Sequence, residues 1–370
     1  MESNVKSCYI HIPFCTHICS YCDFCKMYYQ EQLVDSYLEA LEKEIDLSYQ
    51  GEVLETIYIG GGTPSSLNMR QLKKLFQLIH KFHFSSSLEF TIECNVENTT
   101  SEKLKWFYQN GVNRLSFGVE SSQQKYLSFL ERKHSFEDVQ KTIRIAREIG
   151  FSNINVDLMY AFPGETISDV KKDLDSLLSL QVEHISTYSL MIEEHTKLGI
   201  QKIKPISEDL DYEMYQMICN ILKQHHYEHY EISNFGFKEY YSKHNLCYWD
   251  NREYYGFGLG ASGYLGDIRY TNTRSFQKYL SGDFILEEEV LSKKDKMEYE
   301  IILNLRKCTG ISLRLFYQKY GVCLSDVYDY SSLIVSNCLK EEDDFLFIPE
   351  EKWYISNEII VRFLEGEKYE

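Results

Sequence analysis

Apolar residues along this chain fall into two alternating rhythms. Short runs rich in β-branched and aromatic residues are each followed by a stretch with apolar positions every three or four residues. The first pattern predicts strands and the second predicts amphipathic helices. Residues 8–12 open the series as a strand. Residues 31–49 follow as a helix with Leu33, Tyr37, Leu38, Leu41 and Ile45 on one face. Five further strands are expected at 54–59, 88–93, 113–120, 153–160 and 184–190. Helices are expected near 68–82, from about 101, and near 122–131, 135–149 and 166–180.

Six strand-then-helix units predict a parallel sheet, because parallel neighbours need a crossover between them. Six is fewer than the eight of a closed barrel, so the expected α/β fold is a partial (βα)6 TIM-like barrel. An open doubly wound sheet is the alternative, and both put the site beyond the carboxyl ends of the strands. Residues 208–226 read as one more helix. A glycine- and aromatic-rich connecting segment follows over 233–289. From about 290 the pattern is mostly helical, which predicts a smaller, winged-helix-like C-terminal domain. The expected division is therefore 1–232, 233–289 and 290–370.

Candidate chemistry gathers where those strands end. Cys15, Cys19 and Cys22, spaced C-x3-C-x2-C, follow the first strand. Three thiolates on one loop can hold three irons of a cubane cluster and leave the fourth iron open. Closed electron-transfer clusters and structural zinc each take four protein ligands. The zinc alternative would need His17 or Cys25 to complete a tetrahedron. Gly60-Gly61-Gly62-Thr63-Pro64 follows the second strand and lets backbone approach a ligand. No Gly-Lys-Ser/Thr follows, so this is not a Walker loop. Glu93, Glu120 and Asp157 end strands three to five, where they are either site carboxylates or helix N-caps. Arg132 could clamp a carboxylate bidentately.

Other signals weigh less. The glycines at 256, 258, 260 and 263 lack a clear strand before and helix after, so a dinucleotide site is discounted. His225, His226 and His229 read as surface or helix-capping residues. His244, Asn245, Tyr248 and Trp249 bring an imidazole, an amide and two rings within six residues. They could grip a flat macrocycle, with the imidazole as axial ligand, or form a packed aromatic turn.

Charge and composition narrow the function classes. The net charge of −17 disfavours nucleic acid as a partner, and residues 291–370 carry 11 − 15 = −4, against DNA binding there. No run of about 18 apolar residues occurs, so an integral membrane protein is not expected. The N-terminus lacks a signal-peptide pattern. Eleven cysteines without a disulfide framework fit a reducing, cytoplasmic setting. Cys94, Cys219, Cys247, Cys308, Cys323 and Cys338 read as small buried residues.

The cysteine run with Tyr21 before its last cysteine, followed by the Gly-Gly-Gly-Thr-Pro loop, resembles the radical S-adenosylmethionine (SAM) superfamily. Further stretches at 114–121, 130–135, 155–166 and 185–196 resemble the branch holding oxygen-independent coproporphyrinogen III oxidases and HemW heme chaperones. The resemblance covers nearly the whole chain. It implies a 4Fe-4S cluster on Cys15, Cys19 and Cys22, with SAM on the open iron. It implies SAM or cluster contacts for Tyr9, Phe24, Gly61, Gly62, Thr63, Glu93, Glu120, Arg132 and Asp157. The position of Glu120 is commonly Gln in that branch.

Within the branch, the oxidases carry a fourth cysteine two residues after the third and an N-terminal extension before the barrel. Here Phe24 stands at that place, Cys25 comes one later, and the barrel begins almost at residue 1. The His244 to Trp249 run resembles the HNxxYW motif associated with heme in HemW. The implied function is a heme chaperone that binds heme and passes it to acceptor proteins, membrane respiratory proteins among them. The alternative is a coproporphyrinogen III oxidase that converts propionates to vinyls. The role of Cys25, the place of any second SAM and the choice between monomer and homodimer stay open.

Overall fold

The structure is a computed structural model that describes residues 5–368. Six parallel strands follow chain order in one sheet: β1 Ser7–Ile12, β2 Val53–Gly61, β3 His83–Cys94, β4 Arg114–Glu120, β5 Ile154–Tyr160 and β6 His184–Ser189. Three later strands extend it. β7 Glu228–Glu231 and β8 Asn234–Gly236 add antiparallel strands beyond β6, while β9 Tyr255–Phe257 pairs parallel with β1. The spatial order is β9-β1-β2-β3-β4-β5-β6-β8-β7. The six parallel strands never reverse direction of progress, so there is no switch point and the doubly wound alternative falls. The sheet curls, because side chains of β2 and β6, separated by three strands, line one cavity.

Alternation along the strands explains both faces. Leu115, Phe117 and Val119 of β4 and Ile154, Val156 and Leu158 of β5 are fully buried in the core cluster. Between them, Arg114, Ser116, Gly118 and Glu120 of β4, and Asn155 and Asp157 of β5, face the cavity. Parallel strands covered on both faces usually carry apolar residues on both. A polar inner face marks this partial barrel as a container for a polar ligand.

Helices α1 Glu31–Ser48, α2 Met69–Ile79, α3 Ser101–Gln109, α4 Gln124–Phe129, α5 Phe136–Ile149 and α6 Ile167–Ser179 link the strands. Capping boxes pair Asn68 with Gln71, Ser135 with Asp138 and Thr166 with Asp169, and so fix the starts of α2, α5 and α6. The loops before α2 and α5 carry Gly62, Thr63 and Arg132 to the cavity lining.

The connecting segment is more ordered than its glycine content implies. Besides β9 it holds the short helix Lys243–Trp249 and an antiparallel sheet of Ser262–Leu265, Ile268–Asn272 and Ile285–Val290. Residues 297–363 form a separate apolar cluster. Helices Lys293–Asn304, Leu313–Tyr320 and Ser356–Leu364 surround it with a small antiparallel sheet, the winged-helix-like arrangement expected.

Two expectations need correction. His225 and His226 are exposed, but the His229 ring stacks on Phe235 at 3.9 Å and meets Trp353 edge-on at 4.4 Å. Being on β7 rather than on the helix end, it packs the barrel edge against the C-terminal cluster. Cys308 and Cys323 are exposed, not buried, because they sit in the turns after Lys293–Asn304 and before Leu324–Val327.

Candidate cluster and cofactor site

The cysteine loop is closed at its neck by a two-strand pair, Phe14–Cys15 with Met27–Tyr28. Met27 N–H donates to the Pro13 carbonyl (2.7 Å) and Tyr29 N–H to the Cys15 carbonyl (2.8 Å). Its tip is tethered through Ser20, whose hydroxyl donates to the Phe129 carbonyl at 3.0 Å. The Ser20 carbonyl accepts from Leu198 N–H at 3.2 Å. Cys15 is buried, and Cys19 and Cys22 are half-buried. All three line a cavity of about 410 Å³, with the 68% exposed Phe24 ring at its rim.

Cys25 does not join them. It lies against Gly260, where an added Cβ would sit 3.0 Å from its Sγ. His17 lies 3.8 Å from Glu131. Among the described residues, no three His, Cys, Asp or Glu side chains converge on a single-ion site. The loop therefore offers three thiols to the cavity, spaced around it and not gathered on one ion.

The glycine loop is shaped by specific neighbours. A Cβ on Gly60 would fall 2.7 Å from Glu93 Oε1. One on Gly61 (φ +112°) would fall 2.5 Å from the His11 ring. One on Gly62 would fall 2.7 Å from the Pro13 carbonyl carbon and 3.0 Å from Cys15 Sγ. Gly62 N–H donates to the Ile12 carbonyl (2.9 Å), and Thr63 N–H donates to the Phe14 carbonyl (2.9 Å). The Thr63 hydroxyl donates to Cys15 Sγ at 3.5 Å. The two loops thus form one unit.

The three carboxylates face the same space. Glu93 accepts from the Tyr58 hydroxyl (2.9 Å) and Gly61 N–H (3.0 Å), and burial pushes its carboxyl up to about 7. Glu120, held at φ +66°, accepts from the Tyr21 hydroxyl at 3.0 Å. Asp157 accepts from the Asn155 amide at 2.8 Å. Burial raises the pKa of both.

Arg132 is buried and spends its fork inside the protein. It donates to the Gly118 carbonyl (2.5 Å) and to Asn95 (3.1 Å), and it reaches Cys19 Sγ at 3.7 Å. Among the described residues its Nε has no hydrogen-bond partner. It braces the cysteine loop against β4 and is not a free carboxylate clamp. Tyr9 does not line the cavity. Burial pushes His11 down to about 4, so the ring is neutral. Its Nε2–H donates to the Cys25 carbonyl (2.7 Å), and its Nδ1 accepts from the Tyr9 hydroxyl (3.0 Å). Tyr9 thus supports the cysteine loop from behind.

The donor set fits an iron–sulfur cluster. Burial pushes the Cys15 thiol up to about 11 and raises Cys19 and Cys22 as well. Thiolates at these positions call for adjacent positive charge, which cluster iron supplies. The cavity extends past the thiols to Asn155, Ser186 and Asn245 and so has room beyond the cysteine loop.

The four residues of the His244 to Trp249 run sit at the other end of the barrel. Glu89 of β3 accepts from Lys243 N–H and His244 N–H, both at 3.0 Å, and so anchors the short helix beneath the sheet. His244 is buried. Its Nδ1 pairs with the Thr56 hydroxyl (2.8 Å) and its Nε2 with the Tyr248 hydroxyl (2.7 Å). Its ring stacks on Tyr58 at 5.2 Å, and burial pushes its pKa down to about 3. Asn245 lines the cavity, whereas His244, Tyr248 and Trp249 do not. The Trp249 ring lies 6.0 Å from the Arg306 guanidinium.

Reading strand ends alone missed Tyr58, Asn95, Arg114 and Asn155, all of which line the cavity. The missed signal was period-two polarity within strands, such as Arg114-x-Ser116-x-Gly118-x-Glu120.

A partial six-unit barrel with three thiols, a triple-glycine loop and inward carboxylates defines a radical SAM protein. The Radical SAM superfamily profile matches residues 9–177, and the HemN C-terminal domain profile matches 291–354. The chain is 39% identical over 376 residues to the heme chaperone HemW of Lactococcus lactis, covering 98% of each chain. It is 39% identical over 380 residues to that of Bacillus subtilis, covering 97% of this chain and 99% of the other. Coproporphyrinogen III oxidase (HemN) from Escherichia coli has the same fold, with a TM-score of 0.87 at 22% identity, covering 98% of this chain and 90% of that one. The chain belongs to the HemW family of radical SAM proteins.

Proposed function

We propose that this protein is a heme chaperone that binds heme and passes it to acceptor proteins. The observation that carries this reading is the near-full-length identity to two heme chaperones named HemW. The cavity supports it, since Phe24 stands at the rim and Cys25 faces Gly260, so the cysteine loop itself sends three thiols into the cavity. Cys15, Cys19 and Cys22 would hold a 4Fe-4S cluster, which supplies one-electron chemistry and an open iron for SAM. Gly61, Gly62, Thr63, Glu93, Glu120 and Asp157 would contact SAM. Arg132 and Tyr9 would hold the cysteine loop in position.

His244, Asn245, Tyr248 and Trp249 are the proposed heme segment. For His244 to ligate heme iron, its Nε2 must leave Tyr248. Residues 1–232, 233–289 and 290–370 are proposed as barrel, heme segment and C-terminal domain. No helix among the described residues is long and apolar enough to cross a membrane. A cytoplasmic chain that delivers heme to acceptors, including membrane respiratory proteins, is the setting we propose. The test is to give anaerobically reconstituted protein coproporphyrinogen III, SAM and reductant. A chaperone leaves the porphyrinogen unchanged, and turnover to protoporphyrinogen overturns the reading.

A further inference from the structure

One asparagine joins two of the three loop thiols. Asn95 follows β3 directly, and its backbone is tied on both sides. Its N–H donates to the Ser65 hydroxyl (3.0 Å). Its carbonyl accepts from the Thr99 hydroxyl (2.7 Å) and from Asn98 N–H (3.1 Å). The side chain therefore leaves the strand end in a fixed direction, toward Thr63 and Arg132 in the cavity lining.

The direction of each bond follows from counting protons. Arginine has no acceptor, so the oxygen of the Asn95 amide must face Arg132 Nη1, at 3.1 Å. The amide nitrogen then faces Thr63 Oγ1 and donates to it at 3.1 Å. The Thr63 hydroxyl, accepting there, sends its own proton to Cys15 Sγ at 3.5 Å. The same Arg132 Nη1 that serves Asn95 reaches Cys19 Sγ at 3.7 Å. Asn95 thus aims one donor at Cys15 and another at Cys19. Cys22 stands outside this network. Among the described residues no side chain donates to its sulfur, which takes a backbone bond from Phe24.

We propose that Asn95 is a positioning residue that sets the reduction potential of a cluster held on Cys15, Cys19 and Cys22. Its amide bonds to neither sulfur and acts through Thr63 and Arg132. Hydrogen bonds to cluster sulfurs stabilise the reduced state, which carries the extra negative charge, and so raise the potential. Without the amide, the Thr63 hydroxyl is free to turn from Cys15 and the Arg132 fork to swing from Cys19. The proposal rests on the cluster reading above and is independent of the heme reading.

The test is an EPR-monitored redox titration of the cluster-reconstituted chain without SAM, with iron and sulfide measured on each sample. Wild type is compared with Asn95→Leu, which keeps the shape of the amide without its polar atoms, with Thr63→Val, and with the double variant. Asn95→Leu weakens two hydrogen bonds and should lower the equilibrium constant for one-electron reduction by about 10-fold, or ~59 mV. Thr63→Val should lower it by a smaller factor. The double variant should match Asn95→Leu, because Asn95 acts on Cys15 through Thr63. A merely structural asparagine would change iron content and leave the potential of the loaded fraction unmoved. A wild-type potential in loaded Asn95→Leu, or a double variant that shifts by the sum of the two single shifts, overturns the proposal. If Asn95→Leu takes up no cluster, Thr63→Val decides, and a wild-type potential there overturns it. Wild type that takes up no iron overturns the cluster reading and this proposal with it, whereas an unmoved potential in loaded variants leaves the cluster reading standing.

Discussion

Adding one methyl group at Gly62 should empty the metal site while leaving the fold nearly intact. The Gly62→Ala Cβ would lie 2.7 Å from the Pro13 carbonyl carbon and 3.0 Å from Cys15 Sγ, where ordinary contact begins at 3.4 Å. The two loops cannot simply part, because Gly62 N–H and Thr63 N–H bind the Ile12 and Phe14 carbonyls on either side of Pro13. Overpacking of this kind costs about 1–3 kcal/mol. For 370 residues at ~2.1 cal/mol/K each, that lowers Tm by about 1–4 °C. The sulfur must move by about 0.4 Å, beyond the ~0.2 Å that metal–ligand distances tolerate. Iron and acid-labile sulfide per chain after anaerobic reconstitution provide the assay, with a thermal melt alongside. Wild type should approach about four irons, and Gly62→Ala should fall well short with a near-native melt. Wild-type iron content in Gly62→Ala would refute the coupling between the glycine loop and the first cysteine.

Other expectations follow from the same geometry. Cys25→Ala should reconstitute with as much iron as wild type, whereas Cys19→Ala should not; iron loss in Cys25→Ala would make Cys25 a ligand. Tyr248→Phe releases His244 Nε2 from a bond worth about 1 kcal/mol. If His244 ligates heme, this variant should bind hemin about fivefold more tightly, while His244→Ala should lose the histidine-ligated spectrum. Identical spectra in all three remove His244 as a ligand. Glu44 is buried against Tyr279, Asn272 and Gly258, and burial pushes its pKa up to about 7 from 4.5. A raised carboxyl pKa stabilises the fold fully below about 4.5, and the contribution is lost as pH rises through 7. The loss amounts to up to about 3 kcal/mol. Melts at pH 5 and 8 should therefore converge in Glu44→Gln relative to wild type, and parallel pH profiles would contradict this.

Much of the barrel could be read from the chain because each strand carries a compact apolar run and each helix a 3.6-residue rhythm. Glu93 and Glu120 were legible as cavity-lining residues at or next to strand ends, whereas Asp157, expected at a strand end, lies in the middle of β5 and reaches the cavity through the period-two alternation. β9 was not legible. Its glycines break the pattern, yet a Cβ on Gly256 would collide with the Ser262 carbonyl, and the strand pairs with β1 from 247 residues away (Cys8 with Tyr255, 255 − 8 = 247). The environment of His244 was equally hidden, because Thr56, Tyr58 and Glu89 meet it only through the tertiary fold. Adjacent cysteines differ for the same cause: Cys22 lines the cavity and Cys25 does not, which follows from the turn between them and not from spacing. Arg114 looked like an ordinary strand start, and its place in the cavity lining is visible only once the inner face is assembled.

A heme chaperone must both carry heme and give it up. The direct measurement mixes hemin-loaded, cluster-reconstituted protein with an apo-heme acceptor such as apomyoglobin and follows the acceptor's heme absorbance. The chain should first bind hemin, and the acceptor should then gain one heme for each heme the chain loses. A chain that takes up no hemin, or that holds it indefinitely in the presence of excess acceptor, would contradict it.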